Sequence, residues 1–304
     1  MGIEETARKI KSMEIRGAAL IARKAAEALG LFAEEYQGDN FREDVKKAGE
    51  MLLSTRPTAV SLWNAVHYIT QALHEMNEDE ARKAVKKRAN EFIERSLNAL
   101  ETIGRLGSRR LKSGDIVLTH CNSSAALAVI KHAIHEGKDI KVYATESRPW
   151  RQGFITAKEL TKEGIDTTLI VDAAVRFVMP SIDAVVVGAD TVASNGAVIN
   201  KIGTSQIALC AHEARIPFMV CCETYKFSPW TLHGELVEIE ERAAEEVARS
   251  DEIGGAKVFN PVFDATPPEY IDVLVTEIGV LSPYAAYEVI AHYFGQKALF
   301  EGVQ

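Results

Sequence analysis

The stretch that decides the fold spans residues 115–125 and reads DIVLTHCNSSA. Residues 116–118 form a short apolar run, opened by a glycine and an aspartate, which predicts a buried strand. Residues 122–124 are polar types that cap helices, and the residues after them recur with helical spacing. Cys121 therefore lies where a strand ends and a helix begins. Because helix N-termini favour thiolates and phosphates, Cys121 is a candidate catalytic thiol beside a phosphate site; the alternative is a small buried apolar residue.

The composition is that of an ordinary globular protein, with 304 residues, of which 47% are hydrophobic and 26% charged. A chain of this length predicts two domains and a large core. The formal net charge of −8 argues against nucleic acid as a partner, because phosphate backbones require a basic surface. An anionic small molecule would need a local cluster of cations.

The four cysteines show neither metal-ligand spacing nor a disulfide framework, which predicts no metal and a reducing, cytoplasmic compartment. Charged residues interrupt the N-terminal stretch, so we expect no signal peptide. No apolar run approaches the roughly 20 residues that span a bilayer, so we expect no membrane partner.

The hydrophobic periodicity changes character along the chain. Residues 1–110 show helical spacing and predict a small N-terminal helical domain. Residues 111–304 alternate short apolar runs with amphipathic segments, which predicts a Rossmann-like α/β catalytic domain with a parallel sheet covered on both faces. The predicted strands are residues 116–118, 140–144, 167–171, 183–187, 217–221 and 271–275, with helices at 125–136, 154–163, 173–180 and 204–215.

A glycine interrupts the first predicted helix, residues 3–30. Gly17 in mid-helix would cost about 1 kcal/mol relative to alanine. A break there would explain it, since exposed N–H groups and Arg16 could then bind an anion; a close helix–helix contact at small residues is the alternative. Arg56 precedes Pro57 and a predicted helix start, so it is either a second anion ligand or a solvated surface arginine.

Polar segments follow four of the predicted strands. The carboxyl ends of parallel strands meet at one edge, where open α/β sheets bind their ligands. Four polar, glycine-flanked segments on one edge therefore predict a functional site and not simple connections. They contain Cys121 with Ser123, Ser124 and Ala125; Glu146, Ser147 and Arg148; Gly188, Ala189 and Asp190 with Asn200 and Lys201 behind them; and residues 223–226.

Asp190 follows three consecutive valines, residues 185–187. Partial burial would raise the pKa of its carboxyl and keep it protonated as a general acid opposite a Cys121 thiolate; a turn cap at the strand end is the alternative. For Arg148, the alternative to a substrate contact is an ion pair with Glu146. The cations that could bind one or two phosphates are Arg16, Arg56, Lys201 and Lys226.

Six segments of this chain form a specific set: Arg16-Gly17-Ala18, Arg56-Pro57-Thr58, His120-Cys121-Asn122, Glu146-Ser147-Arg148-Pro149, Gly188-Ala189-Asp190 and Asn200-Lys201-Ile202-Gly203-Thr204. In this order they resemble one family over nearly the whole chain. That family contains methylthioribose-1-phosphate isomerase, archaeal ribose-1,5-bisphosphate isomerase and the regulatory subunits of the guanine-nucleotide exchange complex for eukaryotic initiation factor two.

The resemblance favours an enzyme. The family's isomerases carry a catalytic cysteine and aspartate, the exchange subunits generally lose one or both, and this chain keeps Cys121 and Asp190. Residues 121–124 look like the ribose-1,5-bisphosphate enzyme, and Lys226 matches its second-phosphate ligand, for which a thioether substrate has no use. Residues 223–227 also look like the exchange subunits. The alternatives are therefore a methylthioribose-1-phosphate isomerase of methionine salvage and a non-catalytic regulatory subunit with a translation-factor partner.

The resemblance implies conversion of ribose 1,5-bisphosphate to ribulose 1,5-bisphosphate without a cofactor. Asp190 would protonate the ring oxygen, and the Cys121 thiolate would remove the C2 proton. The implied pathway is AMP and nucleoside salvage, for which activation by AMP would be reasonable, and the implied assembly is a homo-oligomer (a dimer or a hexamer). The implied substrate-binding residues are Arg16, Gly17, Ala18, Ala19, Arg56, Ser123, Ser124, Ala125, Arg148, Asn200, Lys201 and Lys226.

Overall fold

The first unit of the chain, Met1–Ala99, is built from helices in the computed structural model, which describes residues 1–71, 73, 76–234 and 237–294. A second unit begins at Leu100. The boundary predicted between residues 110 and 111 remains a prediction. The helices of the first unit are α1 (Ile3–Lys11), α2 (Ala18–Glu35), α3 (Phe41–Leu53), α4 (Val60–Thr70) and α5 (Glu78–Ser108), the last of which continues into the second unit.

The first predicted helix is broken before Gly17, which is one of the two alternatives that the sequence left open. A single helix over residues 3–30 is wrong, because α1 ends at Lys11 and α2 begins at Ala18. Gly17 precedes α2 with a φ of 87°, a left-handed conformation that glycine adopts without steric cost. Of the two alternatives for Gly17, the structure therefore shows the break, and the N-terminus of α2 lies directly behind it.

The second unit contains a seven-stranded sheet and a smaller three-stranded one. The large sheet has the strand order β10-β9-β7-β4-β1-β2-β3, and all of its pairs are parallel except the one between β9 and β10. The small sheet is antiparallel with the order β5-β6-β8. The strands are β1 (Ile116–Thr119), β2 (Lys141–Thr145), β3 (Thr167–Ile170), β4 (Ala184–Gly188), β5 (Thr191–Val192), β6 (Val198–Lys201), β7 (Phe218–Cys221), β8 (Phe263–Thr266), β9 (Val273–Thr276) and β10 (Gly279–Leu281).

Both faces of the large sheet are covered, as the continuous apolar runs predict. On β4, Val185 and Val187 pack into one apolar cluster, whereas Val186 packs into the other. Each fully buried valine contributes about 1.5–3 kcal/mol relative to an exposed one. The second unit adds the helices α6 (Ser124–His135), α7 (Gln152–Lys162), α8 (Val175–Val178), α9 (Thr204–Ala214) and α10 (Ala286–Phe294).

The structure corrects two details of the predicted second domain. The small sheet was not predicted, and its strand β6 carries Asn200 and Lys201, which the sequence placed in a connection. The predicted helix over 173–180 is only a run of short helical turns around the four-residue α8. In the described part of the chain, no helix is both long and apolar enough to cross a membrane.

Candidate functional site

Cys121 lies between β1 and α6, at the carboxyl edge of the large sheet. The α6 helix begins at Ser124, and the hydroxyl of Ser123 caps it by accepting a hydrogen bond from the backbone N–H of Ala126 at 3.3 Å. Glycine is required at the end of β4, because a β-carbon on Gly188 would lie 2.2 Å from Ser123 Oγ. The close approach of these two segments brings the start of α6 against the neighbouring strand.

The backbone of Cys121 is strained. Its φ of 66° lies in the left-handed region, which costs a residue with a β-carbon about 1–3 kcal/mol. Such a conformation persists only where the surroundings hold it, and it is concentrated at functional sites. Cys121 is one of the few non-glycine residues of the described chain with a positive φ.

Cys121 is half-buried, and the loss of solvation raises the pKa of its thiol to about 11. The positive charge of Lys201 opposes the rise, and the negative charge of Asp190 adds to it. The thiol is therefore protonated at neutral pH in this structure. Burial is the largest cause of the raised pKa, and α6 begins only at Ser124, so the predicted Cys121 thiolate stays a prediction.

Asp190 follows β4, the neighbour of β1 in the sheet. Its backbone N–H donates to the carbonyl of Ile199 at 2.9 Å, which joins the turn after β4 to strand β6. Its carboxylate is close enough to influence the pKa of both Cys121 and Lys226. The predicted meeting of the thiol and the carboxyl at adjacent strand ends is therefore present in the second unit.

Two buried side chains extend this cluster from strand β6. Lys201 is 4% exposed, and its ammonium lies 5.9 Å from the ring centre of Phe263. Asn200 donates from its side-chain amide to Thr204 Oγ1 at 3.0 Å, which ties the strand to the start of α9. Because they belong to a paired strand, these two side chains are held more rigidly than a connecting loop would hold them.

Lys226 is buried in an ion pair with Glu223. The two charged groups are 2.9 Å apart, and their side chains are 5% and 0% exposed. Burial alone would lower the pKa of Lys226, but the carboxylate of Glu223 outweighs this effect and the pKa is raised. Tyr225 donates its hydroxyl to Glu223 at 3.0 Å, and Glu277 accepts the backbone N–H of Thr224 at 3.1 Å. The turn that carries Lys226 is thus fixed by two acidic side chains.

Arg148 makes its contacts with the polypeptide itself. Its guanidinium donates to the carbonyl oxygen of Val247 at 2.9 Å, and its backbone N–H donates to Asp172 at 2.8 Å. The N–H of Ser147 donates to the other oxygen of the same carboxylate, also at 2.8 Å. A substrate contact for Arg148 remains a prediction, since the partner observed for its guanidinium is Val247.

The remaining predicted anion ligands belong to the first unit. Arg16 precedes the Gly17 break, and Ala18 and Ala19 form the first turn of α2, whose initial N–H groups have no preceding turn to accept them. Arg56 lies beside the same break, since its Nη1 is 3.7 Å from Met13 Sδ. Within this unit, therefore, the structure brings together the two segments that the sequence proposed as anion sites.

His120 belongs to the His120-Cys121-Asn122 motif, but the sequence did not predict it as a site residue. Its Nε2–H donates to the carbonyl of Ile202 at 2.9 Å, and its Nδ1 lies 2.5 Å from Thr145 Oγ1. Burial lowers the pKa of this imidazole to about 4, so the ring is neutral and Nδ1 accepts the threonine hydroxyl. Only its position next to Cys121 could have signalled this bridge to the Lys201 segment.

Gln152 and Gly153 belong to the polar segment after the second predicted strand, but the sequence assigned Gln152 no role in the site. Gln152 is 9% exposed at the start of α7, and its side-chain oxygen has no hydrogen-bond partner within the residues that the structure describes. A buried amide oxygen without a partner carries a desolvation cost, so a donor from a ligand fits this position. Its adjacency to Gly153 was the available signal, because a β-carbon there would lie 1.7 Å from the carbonyl oxygen of Thr145.

The second unit thus presents a thiol, a carboxyl group and two buried lysines along the carboxyl edge of one sheet. This set can move protons and hold anions. A model of the initiation factor 2 subunit family matches residues 14–283. The chain belongs to this family.

The relatives that this chain resembles include proteins of different named activities. The chain is 54% identical over 297 residues to the ribose 1,5-bisphosphate isomerase of Methanocaldococcus jannaschii, with 96% of each chain covered. It is 39% identical over 315 residues to methylthioribose-1-phosphate isomerase 1 of Pseudothermotoga lettingae, with 96% of this chain and 89% of the relative covered. A crystal structure of the translation initiation factor eIF-2B from Pyrococcus horikoshii OT3 superposes with a TM-score of 0.82 at 33% identity, covering 92% of this chain and 97% of that one.

Proposed function

We propose that this protein is a ribose 1,5-bisphosphate isomerase, which converts the aldose bisphosphate into ribulose 1,5-bisphosphate. The observation that carries the proposal is the position of Cys121 and Asp190 directly behind the neighbouring strands β1 and β4, in the same unit as the buried side chains of Lys201 and Lys226. The 54% identity to a relative of that name supports the choice of substrate.

The proposed chemistry needs one proton shared between the thiol and the carboxyl. The proton leaves Cys121 for Asp190, so that a thiolate faces a carboxylic acid; the positive charge of Lys201 favours this arrangement against the effect of burial. Asp190 then protonates the ring oxygen as its bond to C1 breaks, and the thiolate removes the proton from C2. The product of this step is an enol phosphate with a C1–C2 double bond.

The second half of the reaction restores both groups. Cys121 returns its proton to C1, and the carboxylate of Asp190 accepts the proton of the C2 hydroxyl as the carbonyl forms. The ketose bisphosphate is complete, and the thiolate and carboxylic acid are regenerated. The C1 phosphate blocks simple opening of the sugar to a free aldehyde, which is why acid catalysis at the ring oxygen is required.

The two phosphates require cations and open N–H groups. Arg16, with the N–H groups of Gly17, Ala18 and Ala19, would hold one phosphate. The first N–H groups of a helix have no carbonyl acceptor within the helix. At the start of α6, Ser124 and Ala125 therefore offer backbone donors for a phosphate beside Cys121. The other proposed ligands are Arg56, Ser123, Arg148, Asn200, Lys201 and Lys226.

The first test is a discontinuous assay of ribulose 1,5-bisphosphate formation from ribose 1,5-bisphosphate, with methylthioribose 1-phosphate in parallel. We expect turnover of the bisphosphate, and we expect Cys121→Ser to lower kcat by about 10⁴-fold or more while the far-UV circular dichroism spectrum stays unchanged. Near-normal turnover in Cys121→Ser would remove the thiol from the mechanism.

A methylthioribose-1-phosphate isomerase is the second candidate, favoured by the 39% identical relative. Its substrate carries one phosphate, so it predicts turnover of the monophosphate and indifference to Lys226→Ala. A non-catalytic subunit predicts no turnover of either sugar from folded protein; the retention of Cys121 together with Asp190 argues against it.

We also propose the wider setting that the family resemblance implies. The enzyme would serve AMP and nucleoside salvage, respond to AMP and assemble as a homo-oligomer, a dimer or a hexamer. Size-exclusion chromatography with light scattering tests the assembly. The same assay with and without AMP tests the activation.

A further inference from the structure

Two buried hydroxyl groups hold the strained backbone of Cys121. The N–H of Cys121 donates to Ser147 Oγ at 2.8 Å, and Thr156 Oγ1 donates to the Cys121 carbonyl oxygen at 2.7 Å. The side chains of Ser147 and Thr156 are both fully buried. Both peptide groups of the one residue are therefore fixed by side chains from elsewhere in the chain, one that follows β2 and one within α7.

The serine is itself immobilised. Its backbone N–H donates to Asp172 at 2.8 Å, and its hydroxyl donates to the carbonyl of Thr145 at 3.3 Å. Thr145 in turn contacts the neutral ring of His120, the residue directly before Cys121. The hydroxyl that receives the Cys121 N–H thus belongs to a satisfied buried network and has no freedom to rotate away.

The threonine receives a second contact. The side-chain amide of Asn122 donates to Thr156 Oγ1 at 3.0 Å, so this hydroxyl joins two consecutive residues of the strand-to-helix turn. A left-handed residue held at both its amide and its carbonyl has a fixed Cα–Cβ direction, because φ and ψ determine where the β-carbon points.

We propose that Ser147 and Thr156 are positioning residues that keep Cys121 in its left-handed conformation and so direct its thiol toward the substrate. This inference rests on the proposed function, in which Cys121 transfers the C2 proton. Misplacing a reacting group by about 1 Å can cost about a hundredfold in rate. The competing interpretation is that the two hydroxyls only satisfy buried peptide groups.

The decisive variant is Thr156→Val, which keeps the shape of the side chain and removes its hydroxyl. Thr266→Val is the matched control, since Thr266 is also fully buried and its hydroxyl has no partner in the part of the chain that the structure describes. We expect kcat of Thr156→Val to fall by about a hundredfold with KM within about twofold, whereas Thr266→Val matches the wild type. Thr156→Ser restores the hydroxyl and should recover most of kcat.

The rate at which the Cys121 thiol is alkylated gives a readout that does not depend on turnover. Iodoacetamide should alkylate Cys121 about tenfold faster in Thr156→Val than in Thr266→Val, because a released turn exposes the thiol. Labelling of Cys121→Ser gives the background from the other cysteines. Thermal unfolding of each variant identifies any loss of fold. If Thr156→Val does not fold, Ser147→Gly is the second variant, because glycine adopts the φ of 60° found at Ser147 without strain.

The outcomes separate this inference from the function on which it rests. Wild-type turnover with Thr156→Val equal to Thr266→Val in both kcat and alkylation would overturn the positioning role and leave the isomerase proposal standing. No turnover by the wild type would overturn the isomerase proposal, and unchanged alkylation in Thr156→Val and Ser147→Gly would then overturn the positioning role as well.

Discussion

Replacing Glu223 by glutamine should destabilise the second unit far more than a single lost ion pair usually does. Glu223 is fully buried, and the Lys226 ammonium that it neutralises lies 2.9 Å away and is almost fully buried. Removing one partner of a buried pair leaves an uncompensated charge, which costs about 3–5 kcal/mol. Glutamine keeps the size of the side chain, so the loss reports charge and not packing.

The dependence on pH has a definite sign. The pKa of Glu223 lies below its ordinary value of 4.5, because the charge of Lys226 outweighs the opposing effect of burial. Its contribution to stability is therefore present above pH 4.5 and is lost as the pH falls through the lowered pKa. The pKa of Lys226 lies above 10.5, so its contribution is present below that pH and is lost as the pH rises through the raised pKa. The ion pair stabilises the fold throughout the neutral range.

Urea unfolding at neutral pH, followed by circular dichroism, measures the cost. Glu136→Gln is the control in the same unit, because Glu136 and Lys138 form a pair at 3.0 Å that is partly open to solvent. We expect the control to lose far less stability, because solvent screens the attraction between Glu136 and Lys138. The double variant Glu223→Gln/Lys226→Met should recover most of the lost free energy of unfolding, because neither side chain then carries a buried charge. Equal free energies of unfolding for Glu223→Gln and Glu136→Gln would refute the reasoning.

Three further outcomes are expected. Burial raises the pKa of Asp264 to about 6, so the stability of the wild type relative to Asp264→Asn should increase as the pH falls from about 7 to about 4, measured by thermal unfolding. Gly188→Ala should raise KM about tenfold in the isomerase assay, because its β-carbon displaces the Ser123 cap from its place beside β4; an unchanged KM would contradict this role. Alkylation of Cys121 by iodoacetamide should accelerate about tenfold per pH unit below its pKa of about 11, and a plateau near neutrality would show a thiolate instead.

The sequence predicted the strand-to-helix turn at Cys121 well, because its signals are local. A short apolar run and the cap at Ser123 are readable without any knowledge of distant residues. At Gly17 the sequence left a break and a close helix–helix contact equally open, because a glycine in mid-helix is compatible with both. Elements with such local signals were found within a few residues of their observed bounds.

The small sheet could not be predicted in this way. Its strands are short, and residues of β6 are extended because they pair with β8, more than 60 residues later in the chain. The raised pKa of Cys121 could not be predicted for a related reason. Proximity to a helix is visible in the sequence, whereas the burial that raises the pKa of the thiol depends on the folded surroundings. Glu223 was likewise visible as a neighbour of Lys226 but not as a buried one.

The strand order determines when each edge of the large sheet is covered during synthesis of the chain. Strand β1 pairs with β2, which follows it directly, and with β4, which is synthesised 65 residues after β1 has ended, from Thr119 to Ala184. Until β4 arrives, one side of β1 is an open edge with unpaired backbone groups. During elongation the nascent chain therefore carries Cys121 beside a strand edge whose backbone groups are unpaired. Strand β4 covers this edge by pairing with β1, and the same strand is followed by Asp190. The strand that brings the proposed acid beside Cys121 is therefore also the strand that closes the edge open to aggregation.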